Sequence, residues 1–167
     1  LGFVKGHVSV TGQVGIEAML QDAMQSCTAD IEHRHATVTV DSCGPAPHLE
    51  GCHDDLVAAF SNLITNAIDA SNSEPNITIK SRIRNNRLAV IQIADRGCGI
   101  PADAIDRIFD PFFTTRAAGN GLGLAVVAGT VTQHGGTIRA VNRPGGGAEF
   151  TVLLPITPVS EAQAEVV

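Results

Sequence analysis

A two-layer α+β sandwich is the fold this sequence predicts. Apolar residues recur at helical spacing over 16–33, 54–71 and 122–134, and β-rich runs between and after them fall into two adjacent pairs. Each pair is joined by residues that accept a left-handed backbone, as a tight turn between antiparallel neighbours requires. Helices kept apart from paired strands make a helical layer over a sheet.

The elements follow in order. Residues 1–15 contain Gly2, Gly6, Gly12 and Gly15 among short β-like runs and read as a linker. Ile16, Met19, Leu20, Ala23, Cys27 and Ile31 keep helical spacing, which predicts one amphipathic helix to about His33. Alternation over 36–40 predicts a strand, and Gly44-Pro-Ala-Pro47 a loop. Leu56, Phe60, Ile64 and Ala67 stripe a second helix over 54–71. Strands over 77–83 and 88–94 flank Arg84-Asn-Asn-Arg87, a hairpin turn. A short helix is expected over 102–108 and another over 122–134, where Gly135-Gly136 suits a C-terminal cap. Strands over 137–141 and 148–154 close a last hairpin around Pro144-Gly-Gly-Gly147, and 156–167 reads as a tail.

Bulk properties exclude several classes. A chain of 167 residues fits one domain with a sizeable core. With 44% apolar and 17% charged residues it is not a disordered chain. A net charge of −6 without any basic run argues against nucleic acid as a partner. Any hold on a polyphosphate must come from backbone amides, helix dipoles and a metal ion. Cys27, Cys43, Cys52 and Cys98 form no CxxC pair, which fits reduced thiols and a cytoplasmic setting. No stretch approaches the ~18 apolar residues of a membrane span, so no direct membrane contact is expected from this segment. The first residue is Leu1, not Met, as expected of a piece of a longer protein.

Four segments carry the chemistry. On the second helix Asn62, Asn66 and Asp69 stand at i, i+4 and i+7 and share one face, opposite Phe60, Ile64 and Ala67. A solvated face normally uses Lys, Glu or Arg, and asparagine is a poor helix former. Two asparagines one turn apart, with Ala58, Ala59 and Ala70 beside them, suit a neutral oxygen site for hydrated Mg²⁺. Asp95-Arg-Gly97-Cys-Gly99 ends a strongly apolar strand. Phe109-Asp-Pro-Phe112-Phe113 holds half of the six aromatic residues. Gly119-Asn-Gly121-Leu122-Gly123-Leu124 opens the helix at 122, where free N–H groups suit an anion.

In this order the four segments resemble the N box, first glycine box, F box and second glycine box of the GHKL ATPase superfamily. Within it the chain is most similar to the ATP-binding catalytic domain of bacterial sensor histidine kinases, over about residues 16–155. The resemblance implies a Bergerat-type fold: a mixed, mostly antiparallel sheet of about five strands covered by helices on one face, with ATP between the layers. It places Asn66 as the Mg²⁺ ligand and Asn62 in support. Asp95 becomes the acceptor for the adenine amine, with Gly97, Gly99 and Ile100 against the base. Phe109 and Phe113 anchor a flap over 102–119, and Gly119, Gly121, Leu122, Gly123 and Leu124 hold the phosphates. Arg116 is expected to reach the terminal phosphates or an adjoining domain.

Departures from the pattern also inform. The gyrase, Hsp90 and MutL branches place a glutamate one turn before the metal-binding asparagine, as base for the attacking water. Asn62 stands there, and an amide is no base at neutral pH, so transfer to histidine is favoured over hydrolysis. Among the six histidines only His53 precedes an acid, and it starts the Mg²⁺ helix, so the phosphoacceptor is expected on another domain. The expected function is phosphoryl transfer from ATP to a histidine on a helical dimerisation domain, with a response regulator downstream. Residues 1–15 would then lead from that domain. The isolated chain is expected to be a monomer, and the parent kinase membrane-anchored or not. A hydrolytic ATPase module, a degenerate nucleotide-binding regulator and a serine-directed kinase of the anti-sigma type are the alternatives.

Overall fold

The computed structural model describes residues 10–42, 48–71, 73–115 and 119–157. The chain begins with strand β1 (Thr11–Gly15) and helices α1 (Ile16–Ser26) and α2 (Thr28–His33). Strands β2 (Thr37–Asp41) and β3 (His48–Cys52) precede helix α3 (His53–Asp69). The hairpin β4 (Asn76–Arg84) and β5 (Leu88–Ala94) follows, then α4 (Gly123–Gln133), β6 (Thr137–Asn142) and β7 (Ala148–Pro155). Five strands form one mixed sheet in the order β2-β4-β5-β7-β6. Its β2–β4 pair is parallel and its other pairs are antiparallel. The predicted α+β sandwich is the fold observed.

Strand β4 shows why one layer suffices. Ile77, Ile79 and Ser81 are buried, while Asn76, Lys80, Arg82 and Arg84 are exposed, so only one face is covered. Helix α3 lies on that face and buries Leu56, Phe60, Leu63, Ile64, Ala67 and Ile68. Each of these side chains larger than Ala67 contributes about 1.5–3 kcal/mol on leaving water. The β4–β5 turn is as expected, with Asn85 and Asn86 at φ of 54° and 51°. Gly135, at φ 69°, follows α4 as a left-handed cap.

The structure differs from the sequence expectation in four places. The last five linker residues are strand β1, which pairs antiparallel with β3 in a separate ribbon and buries Val14. The helix expected over 16–33 breaks at Cys27, whose N–H turns back to Met24 O at 3.0 Å. The Thr28 hydroxyl donates to Gln25 O across the same break. No regular helix forms over 102–108. Bonds from Ala104 N to Pro101 O and from Arg107 N to Ala104 O instead make successive i→i+3 turns, pinned by buried Ala104 and Ile108. Finally, the tail is tied at its start, with Ile156 N bonded to Arg87 O and Thr157 N to His48 O.

Candidate functional site

Helix α3, the end of β5, the turns after Pro101 and the start of α4 enclose a cavity of about 520 Å³. Asn62, Asn66 and Asp69 all line it, so the shared face expected from their spacing is the one turned to the cavity. Ala59, expected beside that face, is in the core, whereas Ala70 does line the cavity. The Asn62 amide donates to Ala58 O at 3.1 Å. Its Oδ1 comes within 3.4 Å of where a Cβ on Gly123 would stand, so the asparagine helix and the glycine loop meet here. Arg34 donates to Ser71 O at 2.7 Å and stands 4.0 Å from the Asp69 carboxylate. A cation there complements the negative end of α3.

Asp95 is 2% exposed at the end of β5, yet it lines the cavity. Its Oδ1 accepts from Gly97 N at 2.7 Å and Ala148 N at 3.2 Å. Two backbone donors hold the carboxylate in one orientation. Oδ2 is left as the oxygen with capacity for a donor inside the cavity.

The neighbouring glycines are required by the protein itself. A Cβ on Gly97 would run into the Ala70 carbonyl of α3, while Cys98 N donates to that same oxygen at 3.0 Å. Gly97 does not line the cavity, and the Ala70 carbonyl fills the space where its side chain would stand. Gly99, at φ 72°, does line it, and its missing side chain makes room for Asn142.

The other end is built from loops. Gly121 sits at φ 69°, and any Cβ there would overlap the Phe112 backbone. Phe112 N donates to Gly121 O at 2.9 Å, which joins the aromatic segment to the glycine loop. Gly119, Gly121, Gly123 and Leu124 line the cavity, whereas Leu122 does not. The Leu122 amide is taken by Asn120 Oδ1 at 3.1 Å. The first-turn amides of α4 beyond it have no helical carbonyl to pair with and suit an anion.

Phe113 lines the cavity under the Arg107 guanidinium, 4.5 Å from its ring centre. Phe109 stays outside the cavity and packs edge-on to Phe150, centroids 6.4 Å apart. Ile100 is in the lining. Arg116 lies outside the described residues. Sequence reasoning missed Ala148 and Phe150, which line the cavity from β7. Only knowledge that the last strand pairs with β5 would have brought them to Asp95.

Residues 51–158 match the family model described as histidine kinase-, DNA gyrase B-, and HSP90-like ATPase. The sensor histidine kinase ZraS of Escherichia coli (strain K12) is 35% identical over 143 residues, covering 86% of this chain and 30% of its own length. The signal transduction histidine-protein kinase AtoS of the same strain is 43% identical over 159 residues, covering 95% and 26% respectively. The chain therefore spans less than a third of these relatives. Among solved structures, the nucleotide-free catalytic domain of histidine kinase ThkA superposes with a TM-score of 0.79 at 25% identity, covering 89% of this chain and 99% of that one. The mycobacterial sensor histidine kinase MprB, at 24% identity and a TM-score of 0.80, shares the fold over 90% of this chain and all of its own.

Proposed function

This chain belongs to the histidine kinase-, DNA gyrase B-, and HSP90-like ATPase family, and we propose that it transfers the γ-phosphoryl group of Mg²⁺-ATP to a histidine on a separate helical dimerisation domain. The observation that carries this reading is a cavity with unlike ends. A fixed carboxylate, Asp95, a glycine loop at the start of α4 and Asn66 all line it. A purine with an exocyclic amine matches the first end and a polyphosphate the second.

Each residue then has a task. Asp95 Oδ2 accepts from the adenine amine, which discriminates against guanine. Gly121, Gly123 and Leu124 present backbone to the phosphates. The donor set on α3 fits Mg²⁺, because it offers hard oxygens and few of them. No cluster of three or more His, Cys, Asp or Glu occurs among the described residues, so the nucleotide and water would complete the shell. Asn66, supported by Asn62, would hold the ion, which supplies charge neutralisation on the phosphates. Asn62 offers no base to an attacking water, so hydrolysis is slow and a neutral imidazole nucleophile is preferred. Phe113 and the turns after Pro101 exclude water from the reacting end.

The catalytic unit runs from Thr11 through Thr157, since β1 and the first tail residues pack with it. The acceptor histidine and any membrane anchor would belong to other parts of the parent kinase, and the response regulator is a separate downstream partner. No helix among the described residues is long and apolar enough to cross a membrane. Incubation with Mg²⁺-ATP and a helical dimerisation domain tests the reading. The expected product is acid-labile, base-stable phosphate on that domain. Sustained release of inorganic phosphate by the chain alone would point to the hydrolytic branch.

A further inference from the structure

Asn142, the last residue of β6, makes a contact that none of the four motif segments contains. Its Oδ1 accepts from Ile100 N at 2.7 Å, and its Nδ2 donates to Ile100 O at 2.7 Å. A carboxamide has the donor and acceptor of a peptide group, so this pair imitates one rung of a β-ladder. Asp lacks the donor, and Ser is too short to span both atoms of Ile100. Gly99 completes the fit, because a Cβ there would approach Asn142 Oδ1 to 2.9 Å.

The place of this clasp gives it meaning. Ile100 lines the cavity and directly precedes Pro101, where the i→i+3 turns begin. Beyond Ile100 the wall continues in local turns, with Ala104 and Ile108 buried. On the other side of the Gly97–Gly99 bend, Arg143 donates to Asp95 O at 2.6 Å. Adjacent residues of one hairpin therefore fix both arms of the bend, with Asp95 on one arm and Ile100 on the other.

We propose that Asn142 is a positioning residue for nucleotide binding. Its side chain holds Ile100, and with it the root of the flap, in the orientation that the ligand needs. The proposal rests on the nucleotide-binding reading and adds a residue to it. Asn142 is exposed, so its replacement leaves the core intact.

The test compares wild type with Asn142→Ala, Asn142→Asp and Val141→Thr. ADP with Mg²⁺ is titrated calorimetrically, and amide exchange at Ile100 is followed without ligand. Asn142→Ala is expected to weaken ADP about tenfold, as loss of two hydrogen bonds at a root contact would. The Ile100 amide should exchange faster in the same variant. Asn142→Asp keeps the acceptor but not the donor, so it should protect the Ile100 amide while recovering only part of the affinity. Val141→Thr, one residue away and 44% exposed, should match wild type in both measurements. Equal ADP affinity in wild type and Asn142→Ala overturns the proposal. So does a loss in Asn142→Ala that Val141→Thr reproduces, since that would reflect the strand and not the clasp. If wild type itself binds neither ADP nor ATP, the nucleotide reading fails first and the proposal falls with it.

Discussion

The two ends of the cavity are built by opposite means. At the Asp95 end every part is backed by the sheet or by helix ends. The carboxylate is 2% exposed, two backbone amides hold it, and Gly97 and Gly147 let main chain touch main chain. At the glycine-loop end the elements are turns, and apolar side chains stand in the open. Phe112 is 76% exposed, Leu122 37% and Val126 50%. The Phe112 N to Gly121 O bond there joins one loop to another. One end is preorganised and should choose the ligand, whereas the other is expected to respond to it. Segments with few buried contacts open locally at low free energy.

Damage to the rigid end should be the most severe. Gly147 has φ 85°, and a Cβ there would overlap the Asp95 carbonyl. Gly147→Ala is expected to cost about 3 kcal/mol through strain and overlap together. Gly145, at φ 87° with nothing within 4 Å, provides the control. Gly145→Ala should cost about 1 kcal/mol, from backbone strain alone. Urea unfolding of the two variants reads the difference, and equal midpoints would refute the contact argument.

Asn66 lines the same cavity from α3. Mg²⁺-ADP at ~100 times its dissociation constant should stabilise wild type by about 2.7 kcal/mol. In Asn66→Ala most of that gain should vanish, while the melting point without ligand stays close to wild type. An unchanged gain would remove Asn66 from the metal role.

Asp95→Ala comes next, with ADP affinity falling roughly tenfold. Asp95→Asn should be intermediate, because an amide still offers an oxygen. Equal binding of ATP and GTP by wild type would take base selection away from this carboxylate.

The smallest effect belongs to the glycine-loop end. Hydrogen exchange over 109–115 should be fast without ligand and slowed more by Mg²⁺-ATP than by Mg²⁺-ADP. Around Ala104 and Ile108, both buried, protection should already be present. Protection of 109–115 equal to that of β5, with and without nucleotide, would erase the contrast between the ends.

What the sequence revealed follows the same divide. The helix stripes were readable because burial on α3 is continuous, and the Asn85-Asn86 turn because its residue type meets its backbone need. Asn62, Asn66 and Asp69 share a face by spacing alone. Strand β1 was hidden because it buries only Val14 and finds its partner more than thirty residues later. The turns over 102–109 carry apolar residues at helical spacing, and their hydrogen bonds decide otherwise. Gly97 looked like a ligand glycine because nothing local says that Ala70 will lie against it. Asn142 left no trace, being a polar residue at a strand end until the bend from β5 arrives.

Strand order also sets when this protein can begin to work. Strand β7 lies between β5 and β6, so a strand made after both of them is inserted beside a central one. Asp95 waits some fifty residues for Arg143 and Ala148, its partners in space. A nascent chain that already has both asparagines and the glycine loop still has no anchored carboxylate. Nucleotide cannot rescue such an intermediate by mass action, and it stays exposed to chaperones and proteases until β7 has emerged. A chain ending at residue 146 should accordingly show no ADP-dependent protection from proteolysis, whereas one ending at 157 should show it in full.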